Sequence, residues 1–306
     1  MKNITEPTGG GGQAIESRRF LVIFNPVAGH RRRRFLDRTL SRLASLGCTC
    51  DLRETTCRGD AEAICAGVEP GAYDAVLVAG GDGTVNEALN GIGGRPIPVG
   101  VIPTGTANVL ALELGLPNAP EKVADLLATA PVRRLHFGAV NGRRFTMMAG
   151  VGFDALVVAA VTPELKRKLR KAAYVLESLR LLLRFDRPAY RVTIDGVASE
   201  AASVIVANGH FYGGSFVCAP DARLDDPDLH VCLFDRTGRL AAATYALWLL
   251  LGRLHHRADF RVVRGREIVI DRPGGDPVQA DGDIVAVTPV TITASAGTFD
   301  ALAPAV

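Results

Sequence analysis

The chain lacks any apolar run long enough to span a bilayer. The longest, Leu240 to Leu251, falls well short of the ~20 residues a membrane helix requires. It also lacks an excess of one charge: 35 Lys and Arg stand against 32 Asp and Glu, a net +3. That balance gives no argument for nucleic acid as a partner. The six cysteines (Cys48, Cys50, Cys57, Cys65, Cys218, Cys232) contain no C-x-x-C pair and no His at zinc-like spacing. Reduced, mostly buried thiols are expected, which suits a cytoplasmic setting. No H-E-x-x-H helix and no G-x-S-x-G elbow occurs, so zinc and serine-hydrolase chemistry have no support. A G-x-x-x-x-G-K-[ST] P-loop is likewise missing.

Present instead is ample core material, 48% hydrophobic in 306 residues, enough for two domains. Residues 1–16, with Gly9 to Gly12 and no apolar signal core, read as a disordered leader. From Arg18 strand and helix patterns alternate. Phe20 to Phe24 is a continuous apolar strand ending at Asn25-Pro26. A helical stretch from Arg32 to Leu46, strands at Cys48 to Arg53, Asp74 to Ala79 and Ile97 to Ile102, and helices at Asp60 to Ala66 and up to Leu114 follow. This order predicts a doubly wound parallel α/β domain with helices on both faces. Near Arg133 the grammar changes to short strands and turn signals, beginning with a hairpin around Asn141-Gly142. Strands are expected at Arg191 to Ile194, Ala202 to Ala207, Leu229 to Phe234, Phe260 to Val263, Glu267 to Ile270 and Val285 to Thr293, forming a C-terminal antiparallel β-sandwich domain. The domains are placed at 17–137, joined by 290–306, and at 138–289, with a nucleotide cleft between them.

Within the first domain, Gly80-Gly81-Asp82-Gly83-Thr84-Val85-Asn86-Glu87 joins a buried strand to a helix. The glycines let a ligand approach the backbone, and the helix start offers free N–H groups and a positive dipole end. The passage reads as a nucleotide-phosphate seat, with Asp82 near a magnesium ion that bridges phosphates. Ligands in such sheets bind beyond the carboxyl ends of strands, which brings Asn25, Gly80–Thr84 and Gly105–Asn108 to one crevice. Gly150-Val151-Gly152-Phe153-Asp154-Ala155 fits a loose G-x-G-x-x-A pattern but follows a hairpin strand, so a tight inter-domain turn is expected. Asp281-Gly282-Asp283 reads as a β-turn, and as a general-base or metal candidate only if the fold brings it to the crevice. The Asp221–Asp228 loop is a solvated loop or a small cation site. Two further helices, Pro163 to Phe185 with its run Lys166-Arg167-Lys168-Leu169-Arg170-Lys171, and Gly238 to His256, are core-packed or lie on an anionic membrane surface. Burial is favoured for Ala241 to Leu254.

Together these markers resemble the diacylglycerol/sphingosine lipid kinase family, in its bacterial soluble branch. They are Asn25-Pro26 with Gly29, Gly80–Glu87, Gly105-Thr106-Ala107-Asn108, Gly150–Asp154, Ala207-Asn208-Gly209 with Gly213-Gly214, Ala219–Leu224 and Asp281-Gly282-Asp283. The resemblance implies an ATP-dependent, Mg²⁺-dependent kinase acting on a lipid hydroxyl. ATP would contact Asn25, Thr55, Gly80, Gly81, Asp82, Gly83, Thr84, Val85, Asn86, Glu87, Thr106 and Asn108. Asp281 would be the general base, with Asp82 and Asp283 beside it. A structural magnesium would use the carbonyls of Arg223 and Asp228 and the side chain of Asp226. Val109 departs from the acid that often follows Gly-Thr-Ala-Asn, and Pro227 from the usual glycine of the metal loop. Asp281→Asn is expected to keep the fold and abolish turnover. A soluble-substrate kinase related to NAD kinase or phosphofructokinase, and an inactive nucleotide- or lipid-binding regulator, are the alternatives. A homodimer and a peripheral contact with an anionic membrane stay open.

Overall fold

A computed structural model describes residues 17–26, 30–162, 165, 171–183, 189–272 and 274–305. Gly29, the leader at 1–16 and most of the basic run (Lys166 to Arg170) lie outside the described residues. The first half alternates as its hydrophobic pattern requires: β1 (Arg19–Phe24), α1 (His30–Ser45), β2 (Thr49–Glu54), α2 (Asp60–Ala66), β3 (Ala75–Gly80), α3 (Asp82–Ile92), β4 (Val99–Pro103), α4 (Val109–Glu113) and α5 (Pro120–Thr129). Strands β2-β1-β3-β4 run parallel in that spatial order. Side chains alternate between two cores. Leu21, Ile23, Val76 and Val78 pack with Ala61, Val85 and Leu89 of α2 and α3. Phe20, Val22, Phe24 and Leu77 pack with Leu36, Leu43, Val123 and Leu127 of α1 and α5. Both faces of β1, β3 and β4 are buried, which explains their apolar runs.

The second half is β-rich: β5 (Val132–Val140), β6 (Arg143–Phe145), β7 (Met148–Val151), α6 (Phe153–Ala160), α7 (Lys171–Leu182), β8 (Tyr190–Ile194), β9 (Val197–Ala201), β10 (Ser203–Ala207), β11 (Phe211–Tyr212), β12 (Phe216–Val217), β13 (Leu229–Phe234), α8 (Arg239–Leu250), β14 (Phe260–Gly265), β15 (Glu267–Asp271), β16 (Pro277–Ala280), β17 (Asp283–Val287) and β18 (Val290–Leu302). One antiparallel sheet has the order β14-β13-β10-β7-β16-β17. It packs Val151, Val204, Val231 and Val278 against Tyr190, Val192, Ile268 and Ile292 of the facing strands, giving the sandwich core. The α/β architecture with an antiparallel sandwich behind it is therefore as the pattern predicts.

Strand β18 ties the halves together. Its first part pairs β15, its length pairs β5, and Ala301 meets Val99 of β4 in parallel. The parallel strands and one sandwich layer thus form a single hydrogen-bonded sheet. Three two-residue hairpins share one backbone solution, with positive φ at Asn141-Gly142, Asp195-Gly196 and Asp281-Gly282. Asn and Asp tolerate that region and glycine prefers it, which selects these pairs.

Four expectations change. The strand expected at Val285 to Thr293 is two strands, because it is divided around Thr288-Pro289. Proline has no N–H to give to a ladder. The Gly150–Ala155 passage is no inter-domain turn: it carries β7 through Gly152 (φ 99°) into α6. The helix expected from Gly238 to His256 ends at Leu250, followed by a short 3₁₀ turn. Burial of Ala241 to Leu254 holds for one face only: Ala242, Tyr245 and Leu254 are buried and Trp248 and Leu249 pack against the core, while Leu247, Leu250 and Leu251 are more than half exposed.

Gly138 of β5 lies under the fully buried Phe145 ring, where a Cβ would come within 2.0 Å of Cζ. Gly138→Ala should destabilise by about 1–3 kcal/mol through overpacking. Adding Phe145→Leu should recover part of that loss, read as a positive coupling in a double-mutant unfolding cycle.

Candidate active site

The glycine loop follows β3 directly. A Cβ on Gly80 would stand 2.6 Å from Thr84 Cβ, so a bare backbone is needed for α3 to turn back over the strand end. Gly81 and Gly105 meet backbone to backbone, a Gly105 Cβ lying 2.3 Å from Gly81 Cα. Two loops from adjacent strands are thereby pressed together. Asn25 Nδ2 donates to Thr84 Oγ1 at 3.2 Å, and the Asn25 N–H to Ala79 O at 3.1 Å. Thr55 is held beside them by its N–H on Phe24 O at 2.9 Å. Arg32 Nη2 donates to Thr106 Oγ1 at 3.1 Å.

Asp82 opens α3 and reaches across to the second loop. Its Oδ1 accepts the Leu110 N–H at 3.2 Å, which stitches the start of α4 to the glycine loop. Burial raises its carboxyl pKa and the nearby Asp281 adds to the rise, while the Leu110 and Val109 N–H groups oppose it. Val109, which replaces an acid, is buried at the first position of α4. Asn108 takes the left-handed conformation before it (φ 51°) and donates to Gly105 O at 3.2 Å.

Asp281 enters from the β16–β17 hairpin. Its carboxylate accepts five hydrogen bonds: Thr146 N–H at 2.7 Å, Thr146 Oγ1–H at 2.9 Å and Asn86 Nδ2–H at 2.9 Å on Oδ2, and the N–H groups of Met147 at 2.9 Å and Met148 at 3.1 Å on Oδ1. Burial raises its pKa, and the backbone donors pull the other way. Asn86 belongs to α3, so this carboxylate bridges the first domain to the second. Asn86 and Asn90 also donate to Arg144 O, and the Arg144 N–H donates to Asn90 Oδ1 at 3.2 Å. Asp283 pairs with Arg58 at 3.1 Å and lies over the glycine loop, 3.7 Å from where a Gly83 Cβ would be.

One cavity of about 1010 Å³ joins these groups. Asn25, Thr55, Gly80 to Thr84, Glu87, Thr106, Asp281 and Asp283 line one part of it. Val85 is buried behind the loop, and neither it nor Asn86 or Asn108 is on the cavity wall. The same cavity runs on to apolar side chains of α6, α7 and α8, including Val157, Leu179, Tyr245 and Leu249.

The Arg223–Asp228 loop is elsewhere and does not fit a cation. Both Asp226 oxygens take the Arg264 guanidinium, at 2.8 and 2.6 Å, and Asp228 pairs with Arg266 at 2.6 Å. The Arg223 carbonyl accepts the Asp226 N–H at 3.0 Å. Arginine charge thus occupies Asp226, the one side chain that the structural-magnesium expectation assigned to the metal beside the Arg223 and Asp228 carbonyls. No group of three or more His, Cys, Asp or Glu side chains poised for a metal occurs among the described residues.

Comparison with known proteins decides what this arrangement belongs to. Residues 19–140 match the diacylglycerol kinase catalytic domain, and residues 147–303 match the YegS C-terminal NAD kinase beta sandwich-like domain. The diacylglycerol kinase of Bacillus subtilis (strain 168) is 32% identical over 216 residues, 68% of this chain and 71% of that one. The chain belongs to the diacylglycerol kinase family of bacterial lipid kinases. It is a kinase, with lipid kinase activity as the general function. The diacylglycerol kinase of Mycobacterium tuberculosis (strain ATCC 25618 / H37Rv) is 29% identical over 254 residues, 80% of this chain and 82% of its own length. A crystal structure of a diacylglycerol kinase from Bacillus anthracis str. Sterne superposes with TM-score 0.75 at 24% identity, covering 94% of this chain and 97% of that one, a likeness of fold.

Sequence reasoning overlooked Arg32 and Arg58 as individual cleft residues, and it gave Asp154, Tyr212 and Gln279 no role. The strand-end rule that selected Asn25 reaches Arg58 as well, four residues past β2. The expectation that Asp281→Asn keeps the fold acquires a cost in stability. An amide in place of the carboxylate must turn its NH₂ towards either the Met147 and Met148 donors or the Thr146 and Asn86 donors. Each donor left unpaired costs about 1–3 kcal/mol. Denaturant unfolding of Asp281→Asn should show a stability loss of that order, and an unchanged midpoint would contradict this geometry.

Proposed function

We propose that this kinase transfers the γ-phosphoryl group of ATP to a lipid hydroxyl. The observation that carries the reading is the continuity of the cavity, polar and glycine-lined at one end and apolar at the other. At the polar end, the triphosphate lies at the N-terminus of α3, against the N–H groups of Gly81, Gly83 and Thr84. Asn25, Thr55 and Thr106 flank it, and Glu87 lies one turn further along α3. Val85, Asn86 and Asn108 hold the loops in shape rather than touching the nucleotide. Arg32 and Arg58 add positive charge to the same wall. Asp82 and Asp283 offer the hard oxygen donors that suit a Mg²⁺ ion accompanying ATP, whose chemistry there is to offset phosphate charge.

At the acceptor side, Asp281 takes the proton of the attacking hydroxyl. Its lone pairs are already engaged, so that proton displaces the Thr146 hydroxyl, the one rotatable donor on Oδ2. Burial raises the Asp281 pKa. The acid limb of kcat/KM is therefore displaced upward from the ordinary carboxylate range, because the base works only when deprotonated. Positioning and electrostatic stabilisation supply most of the acceleration.

The apolar end opens between α7 and α8. Val175, Leu179 and Leu250 line the cavity and are each more than half exposed, so they form its rim. No helix among the described residues is long and apolar enough to cross a membrane. A rim of this kind suits peripheral contact with a membrane surface, where a lipid's tails stay in the apolar end while its hydroxyl reaches Asp281.

Incubation with γ-labelled ATP and a lipid panel should move label into the organic phase. Label that stays in water on NAD or a sugar favours the soluble-substrate kinase. Arg58→Ala should raise the KM for ATP about tenfold, with a smaller change in the KM for lipid, as loss of one charge-assisted contact implies.

A further inference from the structure

Asp154 is a half-buried carboxylate that the chemistry above leaves unused, although it lines the same cavity. It stands second in α6, over Gly150, where a Cβ would come within 2.2 Å of its Oδ2. Glycine is thus required beneath it. Tyr212 donates its hydroxyl to Oδ1, and Gln279 Nε2 donates to Oδ2 at 2.7 Å. The glutamine orientation is fixed independently, because Gln279 Oε1 accepts the Gly282 N–H at 2.8 Å. Its NH₂ therefore faces Asp154, and Oδ2 must accept.

Asp154 and Asp281 differ in what they still lack. An ionised carboxylate offers about four lone-pair sites. Asp281 accepts five hydrogen bonds and is saturated, whereas Asp154 accepts two. Asp154 forms no ion pair among the described residues. Its neighbours one turn along α6, Val157 and Val158, are apolar, as is Ile205, which pairs Gly150 across the sheet. A half-buried carboxylate on a cavity wall, with free lone pairs and apolar neighbours, is placed to take a donor from whatever fills that cavity. A single glutamine amide separates it from the Asp281-Gly282 turn, so that donor lies within a few bonds of the reacting hydroxyl.

We propose that Asp154 reads the acceptor lipid by accepting a hydrogen bond from a second donor on its headgroup, a hydroxyl or an ammonium. The inference rests on the lipid-kinase reading and narrows it. The favoured acceptor is a diol or amino alcohol carrying a lipid chain. A diacylglycerol fits less well, because beyond its reacting hydroxyl it presents only ester oxygens, which are acceptors.

The test compares a diacylglycerol, a monoacylglycerol and a sphingoid base of equal chain length in the same mixed micelles. Wild-type kcat/KM for a donor-bearing lipid should exceed that for the diester at least about tenfold, the scale of one hydrogen bond to a charged group. Monoacylglycerol against sphingoid base tells hydroxyl from ammonium. Asp154→Asn should bring the ratio towards one, while Tyr212→Phe, which keeps the carboxylate, should retain the preference. A wild-type enzyme that treats the diester equally or better overturns the proposal, and this is read without any variant. Equal losses on all three lipids in Asp154→Asn also overturn it, since they mark a purely structural role. Phosphorylation of none of the three, with turnover of a water-soluble alcohol, overturns the lipid reading itself.

Discussion

The cleft depends on one carboxylate that gathers three segments distant in sequence. Asp281 takes donors from Thr146, Met147 and Met148, which continue from β6 into β7, and from Asn86 on α3. Without it, the N–H groups of that connection and the Asn86 amide would face a cavity wall with no acceptor. The same contact sets the distance between the glycine loop and the sandwich, and so the width of the space in which a phosphoryl group can pass. Burial makes the charge expensive and the donors make it tolerable, a combination that favours a single geometry.

Around that point the two halves are joined redundantly. Strand β18 continues the sheet from one half into the other, and the Asn86, Asn90 and Arg144 contacts lace α3 to β6. Glu113 at the end of α4 accepts the N–H groups of His210 and Phe211, each at 3.1 Å. Since Asp82 holds the start of α4, a chain of polar contacts runs from the glycine loop to Tyr212, Asp154, Gln279 and back to the Asp281 turn. A ring of this kind gives the cavity rigid walls at its polar end. At the other end, the rim formed by α7 and α8 leaves leucines in solvent.

Much of the scaffold was legible because local pattern and tertiary role agree. Phe20 to Phe24 and Ala75 to Ala79 are apolar throughout since both of their faces are covered. Asn141-Gly142 marked its hairpin because few other pairs hold two positive φ values. The crevice was legible from strand ends, since β3 and β4 deliver the Gly80 and Gly105 loops to the same edge of the sheet. Other features depend on distant partners. Nothing near Asp226 announces Arg264, 38 residues away, so its engagement by an arginine was not readable. The leucines of α8 resemble a core stripe, and only the fold shows that Leu247 and Leu250 face outward while Leu249 packs inward. Asp281 looked like an ordinary turn residue, which it is, and the same turn conformation aims its side chain at Thr146.

In the proposed reaction, nucleotide and acceptor occupy one cavity and react directly across it. The stereochemical course at phosphorus tests this most directly, using ATP made chiral at its γ-phosphoryl group by oxygen isotopes and analysing the lipid phosphate product. A single in-line transfer predicts inversion of configuration. Retention would demonstrate a covalent phospho-enzyme between two displacements and would contradict the arrangement described here.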